Sequence, residues 1–279
     1  MFPRSSNKPA QAVGALRCGL DLRDEADLAL IAASHNGEPE HISRVAAILA
    51  RHELTEDDLR CPPDYPKHEG SRDEFLASGG TKRRLAMNCS GKHAAMLATC
   101  AQRGWPTVSY LDDGHPLQVA NSDTLAELAG EPVAATAVDA CGAPLFAISL
   151  TGLARVFRAL VTAPLGSHER RVADAMRAHP YLVAGTGRED TLLMRAVPGL
   201  LCKAGAEGVH VAALPDGTAI ALKIDDGAAR ARLPVMVGAL RALGVPASPE
   251  LHALAEEAIY GGGRQVGAAR LLPGVFAGL

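Results

Sequence analysis

The stretch VHVAALPDGTAIALKI, residues 209–224, constrains the fold of this chain more than any other. Two apolar, β-branched runs flank the turn sequence Pro215-Asp216-Gly217, so it reads as an antiparallel hairpin. Most of what surrounds it has helical character. QAVGALRCG reads as a short helix ending at Gly19, with Pro9 in its first turn, where a missing N–H does no harm. ADLALIAAS is apolar on nearly every side and should be buried, and EPEHISRVAAILARHEL is an amphipathic helix. SGKHAAMLATCAQRG follows as a helix with Ser90 placed as N-cap and Gly104 as terminator. Residues 61–84, rich in Pro, Gly and charge, read as a long ordered loop with at most one helical turn. Further on, AATAVDACGAPLFAISL contains a strand and a turn, and TGLARVFRALVTA resumes as helix. AARARLPVMVGALRALG, with a kink expected at Pro234, and PELHALAEEAI complete the helical set. Helices interleaved with a few antiparallel strands define an α/β (α+β) sandwich, with helices laid against a sheet. The whole of residues 1–279 is expected to be one domain.

Charge and composition narrow the partners. A net charge of −3 and 4% aromatic residues give no footing for nucleic acid. No apolar run is long enough to cross a bilayer. The opening MFPRSSNK lacks the apolar centre of an export signal, which predicts a cytoplasmic protein. In that compartment the cysteines at 18, 61, 89, 100, 141 and 202 are expected to be thiols.

Several short segments could carry chemistry. Ser5 and Lys8 have the Ser-x-x-Lys spacing by which a lysine, once its own pKa is lowered, can take a serine's proton. Ser34, in ASHNGEPEH, sits in a polar turn where it could serve a site or simply cap a helix. In NCSGKHAAM, Cys89, Lys92 and His93 can share one side of a helix start. Chemistry alone favours His93 over Lys92 as a zinc ligand there, since imidazole is much the commoner donor. In VDACGAP, Asp139 and Cys141 alternate along an extended segment and would point the same way. Two cysteines and one nitrogen would complete a three-ligand zinc site, although each cysteine is equally at home as a small buried residue. Lys203, in CKAGAEGVHVAAL, precedes the hairpin in a partial match to the Lys-[Ser/Thr]-Gly edge strand of penicillin-recognising enzymes. Lys223 is its rival.

Taken in order, RSSNKPAQ, ASHNGEPEHI, NCSGKHAAML, DACGAPLFAISL, HPYLVAGTGREDT, KAGAEGVHVA and ALKIDDGA resemble the L-asparaginase II family. The resemblance implies a serine β-lactamase- or glutaminase-like fold, with a central antiparallel sheet flanked by helices and a helical subdomain. It implies a homodimer that hydrolyses the small molecule L-asparagine to L-aspartate and ammonia. It also implies two Ser–Lys pairs, Ser5 with Lys8 and Ser34 with Lys203, the last leaving Lys223 as an alternative. Zinc would be held by Cys89, Lys92 and Cys141. Members of the family carry two strands ahead of the Arg-Ser-x-x-Lys segment. Their absence here predicts an open sheet edge and a poorly active chain.

Two other functions are weighed against hydrolysis of asparagine. A penicillin-recognising hydrolase on the same fold would leave Cys89 and Cys141 without a purpose. A zinc- or amino-acid-binding protein without catalysis would bind asparagine and release no ammonia. Asparagine and glutamine present the same amide at different reach, so the residues do not choose between them.

Overall fold

The computed structural model describes residues 1–22 and 24–276. After a 3₁₀ turn over Arg4–Asn7 come α1 (Lys8–Arg17), α2 (Glu25–Ile31), α3 (Pro39–Ala50), α4 (Glu69–Ala77), α5 (Ser90–Arg103) and α6 (Pro116–Ala129). A hairpin of β1 (Ala135–Val138) and β2 (Pro144–Ala147) leads to α7 (Leu150–Thr162), α8 (His168–Ala178), α9 (Pro180–Val183) and α10 (Glu189–Ala196). Then follow β3 (Leu201–Ala204), β4 (Val209–Ala213), β5 (Ala219–Lys223), α11 (Arg232–Ala242), α12 (Pro249–Ala253), β6 (Glu256–Gly261) and β7 (Arg264–Arg270).

The fold is mixed α and β, as expected, but its strands do not join into one central sheet. Among the described residues they form three small antiparallel sheets, β1-β2, β3-β4-β5 and β6-β7. The middle sheet is the buried one: every residue of β3 and β4 is in the core. α7 shows why it is covered. Leu153, Val156, Phe157, Leu160 and Val161 recur at helical spacing, all buried, and the helix packs on β4 and β5. Each such fully buried side chain contributes about 1.5–3 kcal/mol. Ser149 fixes where α7 starts by accepting the Gly152 N–H at 2.8 Å.

α1 and α5 are the other two central elements. From Lys8 to Leu16, and from Ser90 to Cys100, every residue is buried, polar ones included. Such helices cannot be amphipathic in the ordinary sense; their polar residues must find partners inside. Both deliver a lysine near their N-terminal ends, Lys8 and Lys92.

Four local expectations are corrected. Cys89, not Ser90, is the N-cap of α5, because the Ser90 hydroxyl is used to donate to Leu85 O at 2.9 Å. Residues 61–84 contain the full helix α4, which has no buried residue and so no apolar stripe to betray it. Pro234 does not kink α11: it is the helix's third residue, where its absent N–H has no partner to lose. Finally, the helix expected across PELHALAEEAI stops at Ala253, and Glu256 onward pairs with β7 through Gly262 and Gly263, both in the left-handed region. No helix among the described residues is long and apolar enough to cross a membrane.

Candidate active site

The site begins with the 3₁₀ turn. Arg4 adopts φ +53°, a left-handed conformation rare for a non-glycine residue and costing on the order of 1–3 kcal/mol. Its guanidinium is anchored on the Asp139 carboxylate at 2.9 Å and on Glu207 at 3.0 Å. The Ser6 hydroxyl is committed to Pro3 O at 2.6 Å, whereas the neighbouring Ser5 is half-buried and keeps some exposure. Strand β3 presses on this turn: a Cβ on Gly205 would lie 2.5 Å from Pro3 O, so only glycine admits the approach.

Lys8, three residues beyond Ser5, is buried and donates to Ala33 O at 2.6 Å and to Ser34 Oγ at 2.9 Å. Its partners differ from those expected, since it is Ser34 that lies on the Lys8 amine. Burial lowers the Lys8 pKa, and the Lys92 and Lys203 charges lower it further against the Cys89 and Cys141 thiols. Ser34 is set by its own N–H, which donates to Val183 O at 2.9 Å.

Lys203, the expected partner of Ser34, is fully buried and donates to Asp190 Oδ2 and to Ala204 O, both at 2.9 Å. The Asp190 carboxylate also accepts the Ala204 N–H at 2.7 Å and lies 3.2 Å from His210 Nε2. Burial opposes its ionisation, yet Lys203 and His210 hold it well below the usual carboxylate range. Lys223, the rival, is exposed and bonds to Glu207 O and Ile224 O.

Cys89, Lys92 and Cys141 come together in the core. Lys92 Nζ lies 3.1 Å from Cys141 Sγ, and the Cys89 thiol, which donates to Asn88 Oδ1 at 3.4 Å, is near enough to influence Cys141's ionisation. Its neighbour Cys89, the Lys92 charge and His93 hold Cys141 below the ordinary thiol range, against the effect of burial. Burial works against the Lys92 ammonium, but the Cys141 and Cys89 sulfurs more than offset it. Cys141 does not lie on an extended segment beside Asp139. It sits in the tight β1-β2 turn, closed by Gly142 N–H to Asp139 O at 2.8 Å. His93 is also adjacent, but its hydrogen bonds bear on its role. The Tyr110 hydroxyl accepts the Arg60 N–H at 2.9 Å and meets His93 Nδ1 at 2.7 Å. Tyr110 then donates to Nδ1, which puts the ring proton on Nε2, the buried nitrogen with no bonded partner. In that tautomer Nε2 carries a hydrogen in place of the lone pair a metal would take. Two sulfurs and the Lys92 amine therefore form a donor set that fits zinc, provided the metal displaces the lysine's proton.

A second group of ligand-type atoms, on Asp190, Cys202 and His210, lies within 4.8 Å of one another. There the carboxylate already carries the Lys203 ammonium, which makes the group a buried ion pair rather than a cation site. Two clefts of about 500 and 600 Å³, beside Arg241 and Leu271 and beside Pro198 and Val245, contain none of the residues above. They offer no nucleophile–base pair, and the chemistry stays with Lys8.

Sequence reasoning missed Asp190 and Glu38. Glu38 accepts the Thr186 N–H at 2.7 Å and its hydroxyl at 2.8 Å, tying the Ser34–Gly37 turn to the segment before α10. Both acids fall in shared segments, ASHNGEPEHI and HPYLVAGTGREDT, but only the fold shows what they hold.

One buried lysine, Lys8, bonded to Ser34 and three residues from Ser5, within a mixed α/β frame, is an arrangement a hydrolase can use. The chain belongs to the L-asparaginase II family, whose model matches residues 1–271. Membership implies an amidohydrolase. No curated protein shows significant similarity to the chain.

Proposed function

We propose that this protein hydrolyses L-asparagine to L-aspartate and ammonia, with Ser5 as nucleophile and Lys8 as general base. The observation that carries the reading is the bonding of Lys8. A neutral amine has two N–H donors and one lone pair. Ala33 O and Ser34 Oγ take the two donors, at 2.6 and 2.9 Å. The remaining lone pair is free to accept a proton, and burial favours the neutral form that has it. Supporting Ser5 is its spacing: residues i and i+3 of a 3₁₀ turn share a face, and Lys8 directly follows the Arg4–Asn7 turn.

Ser5 Oγ would attack the side-chain carbonyl as Lys8 takes its proton. Lys8 then returns that proton to the departing nitrogen, and water releases aspartate from the acyl-enzyme by the same relay. Ser34 orients Lys8 and can pass the proton on. Cys89, Lys92 and Cys141 would hold zinc, which supplies a fixed positive charge in the core. Supporting the substrate is the family match; asparagine is preferred over glutamine on that ground alone.

The test is ammonia release from L-asparagine and from L-glutamine, with mass spectrometry of the acyl-enzyme. Ser5→Ala and Lys8→Ala should each lower turnover by about 100-fold or more while circular dichroism is unchanged. The adduct should map to the peptide containing Ser5. An adduct on Ser34, or near-full activity in Ser5→Ala, sinks the nucleophile assignment; tight asparagine binding without ammonia sinks the activity.

A further inference from the structure

Polar side chains inside the helical core need partners there, and two of them have none in the protein. Gln11 on α1 is 5% exposed and Asn121 on α6 is 1% exposed. Gln11 Oε1 and Asn121 Oδ1 are both buried without a hydrogen-bond partner among the described residues. A buried acceptor left in that condition costs its full desolvation penalty. The Asn121 amide cannot turn over to relieve it. Tyr110 O, a backbone carbonyl, accepts from Gln118 Nε2 at 2.7 Å, which leaves Gln118 Oε1 as the acceptor for Asn121 Nδ2 at 3.3 Å. Asn121 Oδ1 is thereby aimed at α1. It lies so near that helix that a Cβ on Gly14 would stand 2.4 Å from it.

Gln11 and Asn121 line one small cavity of about 10 Å³, together with Ala12 and Ala15 of α1 and Lys92 and Ala95 of α5. That is the room a single water needs, and far too little for an organic ligand. The polar groups match a water as well. A water donates twice and accepts through its lone pairs; the cavity presents two acceptor oxygens and a lysine. Lys92 Nζ bonds to Cys141 Sγ at 3.1 Å and has further N–H to give. A cation in the same place would face the charge of Lys92, or of a metal held by it, so a neutral occupant is favoured.

We propose that this cavity is a binding site for one ordered water, which donates to Gln11 Oε1 and Asn121 Oδ1 and accepts from Lys92 Nζ. The water ties together α1, which carries Lys8, α5, which carries Lys92, and α6. Gln11 follows Lys8 by three residues, so the bridge grips α1 about one turn beyond that lysine. The inference rests on no assignment of substrate or activity.

The first test is a crystal structure of the wild-type protein at a resolution that shows ordered water, with a second crystal soaked in rubidium chloride. Expected is a single peak about 2.6–3.2 Å from Gln11 Oε1, Asn121 Oδ1 and Lys92 Nζ, without anomalous signal from rubidium. Absence of density there overturns the proposal. So does a rubidium peak, which would make the site one for a monovalent cation. The second test is thermal unfolding of Gln11→Met, which keeps the length of the side chain and removes its oxygen. Its sign decides. A bound water loses one of its three bonds, and Tm falls by about 2–4 °C. In a dry cavity the substitution instead removes an unmatched buried acceptor; Tm then holds or rises, and the proposal is overturned. The crystal needs no variant, so a Gln11→Met chain that fails to fold leaves the first test to decide.

Discussion

At the scale of single residues, the site turns on which atom carries a proton. Cys141 is held below the ordinary thiol range and Cys89 above it, and the Tyr110 hydroxyl occupies His93 Nδ1 at 2.7 Å. This assignment makes a checkable statement about metal. Elemental analysis should find about one zinc per chain in the wild type, most of it gone in Cys89→Ser and in Cys141→Ser. His93→Ala should keep its zinc, because the residue only orients the thiolate. Metal content that ignores both cysteines, or follows His93 instead, would falsify the proposed ligand set. General chemistry prefers an imidazole to an amine, so zinc retained in His93→Ala would favour Lys92 as the nitrogen ligand.

Among elements, the decisive contact is β3 against the 3₁₀ turn. In Gly205→Ala the new methyl would meet Pro3 O at 2.5 Å and Val209 Cβ at 3.1 Å, and the first of these is backbone that cannot swing aside. The turn must move, and Ser5 with it. A cost of about 1–3 kcal/mol is expected, seen as a lower Tm, with kcat falling more than KM rises. Wild-type Tm and kcat in this variant would show that the turn is soft. The same contact marks how far the sequence could be read. The hairpin around Pro215-Asp216-Gly217 and helices α1, α2, α3, α5 and α7 were legible, because their apolar spacing is local. So was the gathering of Cys89, Lys92 and Cys141, through the resemblance. α4 was not, since none of its side chains is buried. Nor was β6, whose residues Glu256 and Glu257 suit a helix until β7 supplies Arg270 and Ala269 opposite them. The partners of Lys8 and Lys203 depend on which strand edge meets which helix, and no local pattern encodes that.

For the molecule as a whole, two stacked histidines set a limit in acid. The rings of His35 and His41 lie 5.0 Å apart and nearly parallel. Each uses Nδ1 to accept a backbone N–H, from Gly37 at 3.1 Å and from Glu38 at 3.2 Å, so each is neutral in the fold. Burial lowers both pKa values below the ordinary 6.5. The unfolded chain therefore binds protons that the folded one refuses. Their contribution to stability is complete above pH 6.5 and is lost as pH falls below it, through the lowered folded values. Each ring gives a slope of about 1.4 kcal/mol per pH unit in that window. Urea midpoints should therefore drop between pH 7.5 and pH 5.5, before carboxylates begin to titrate. His41→Asn should flatten the drop; a midpoint constant over that range would contradict the assignment.

The turn that carries Ser5 is closed on one side by Gly205, which follows β3 and lies far along the chain from it. During synthesis the peptide that carries Ser5 and Lys8 leaves the ribosome well before Gly205. At 5–20 residues per second it waits about 10–40 s for Lys203 and Gly205 to follow. Within that interval α1 gains α5, α6 and α8, the helices it packs on, so the helix is covered before the turn ahead of it is closed. The turn that holds Ser5 is thus completed later than the helix that follows it, and a nascent chain that stops short of residue 205 would have α1 docked and the Ser5 turn still open.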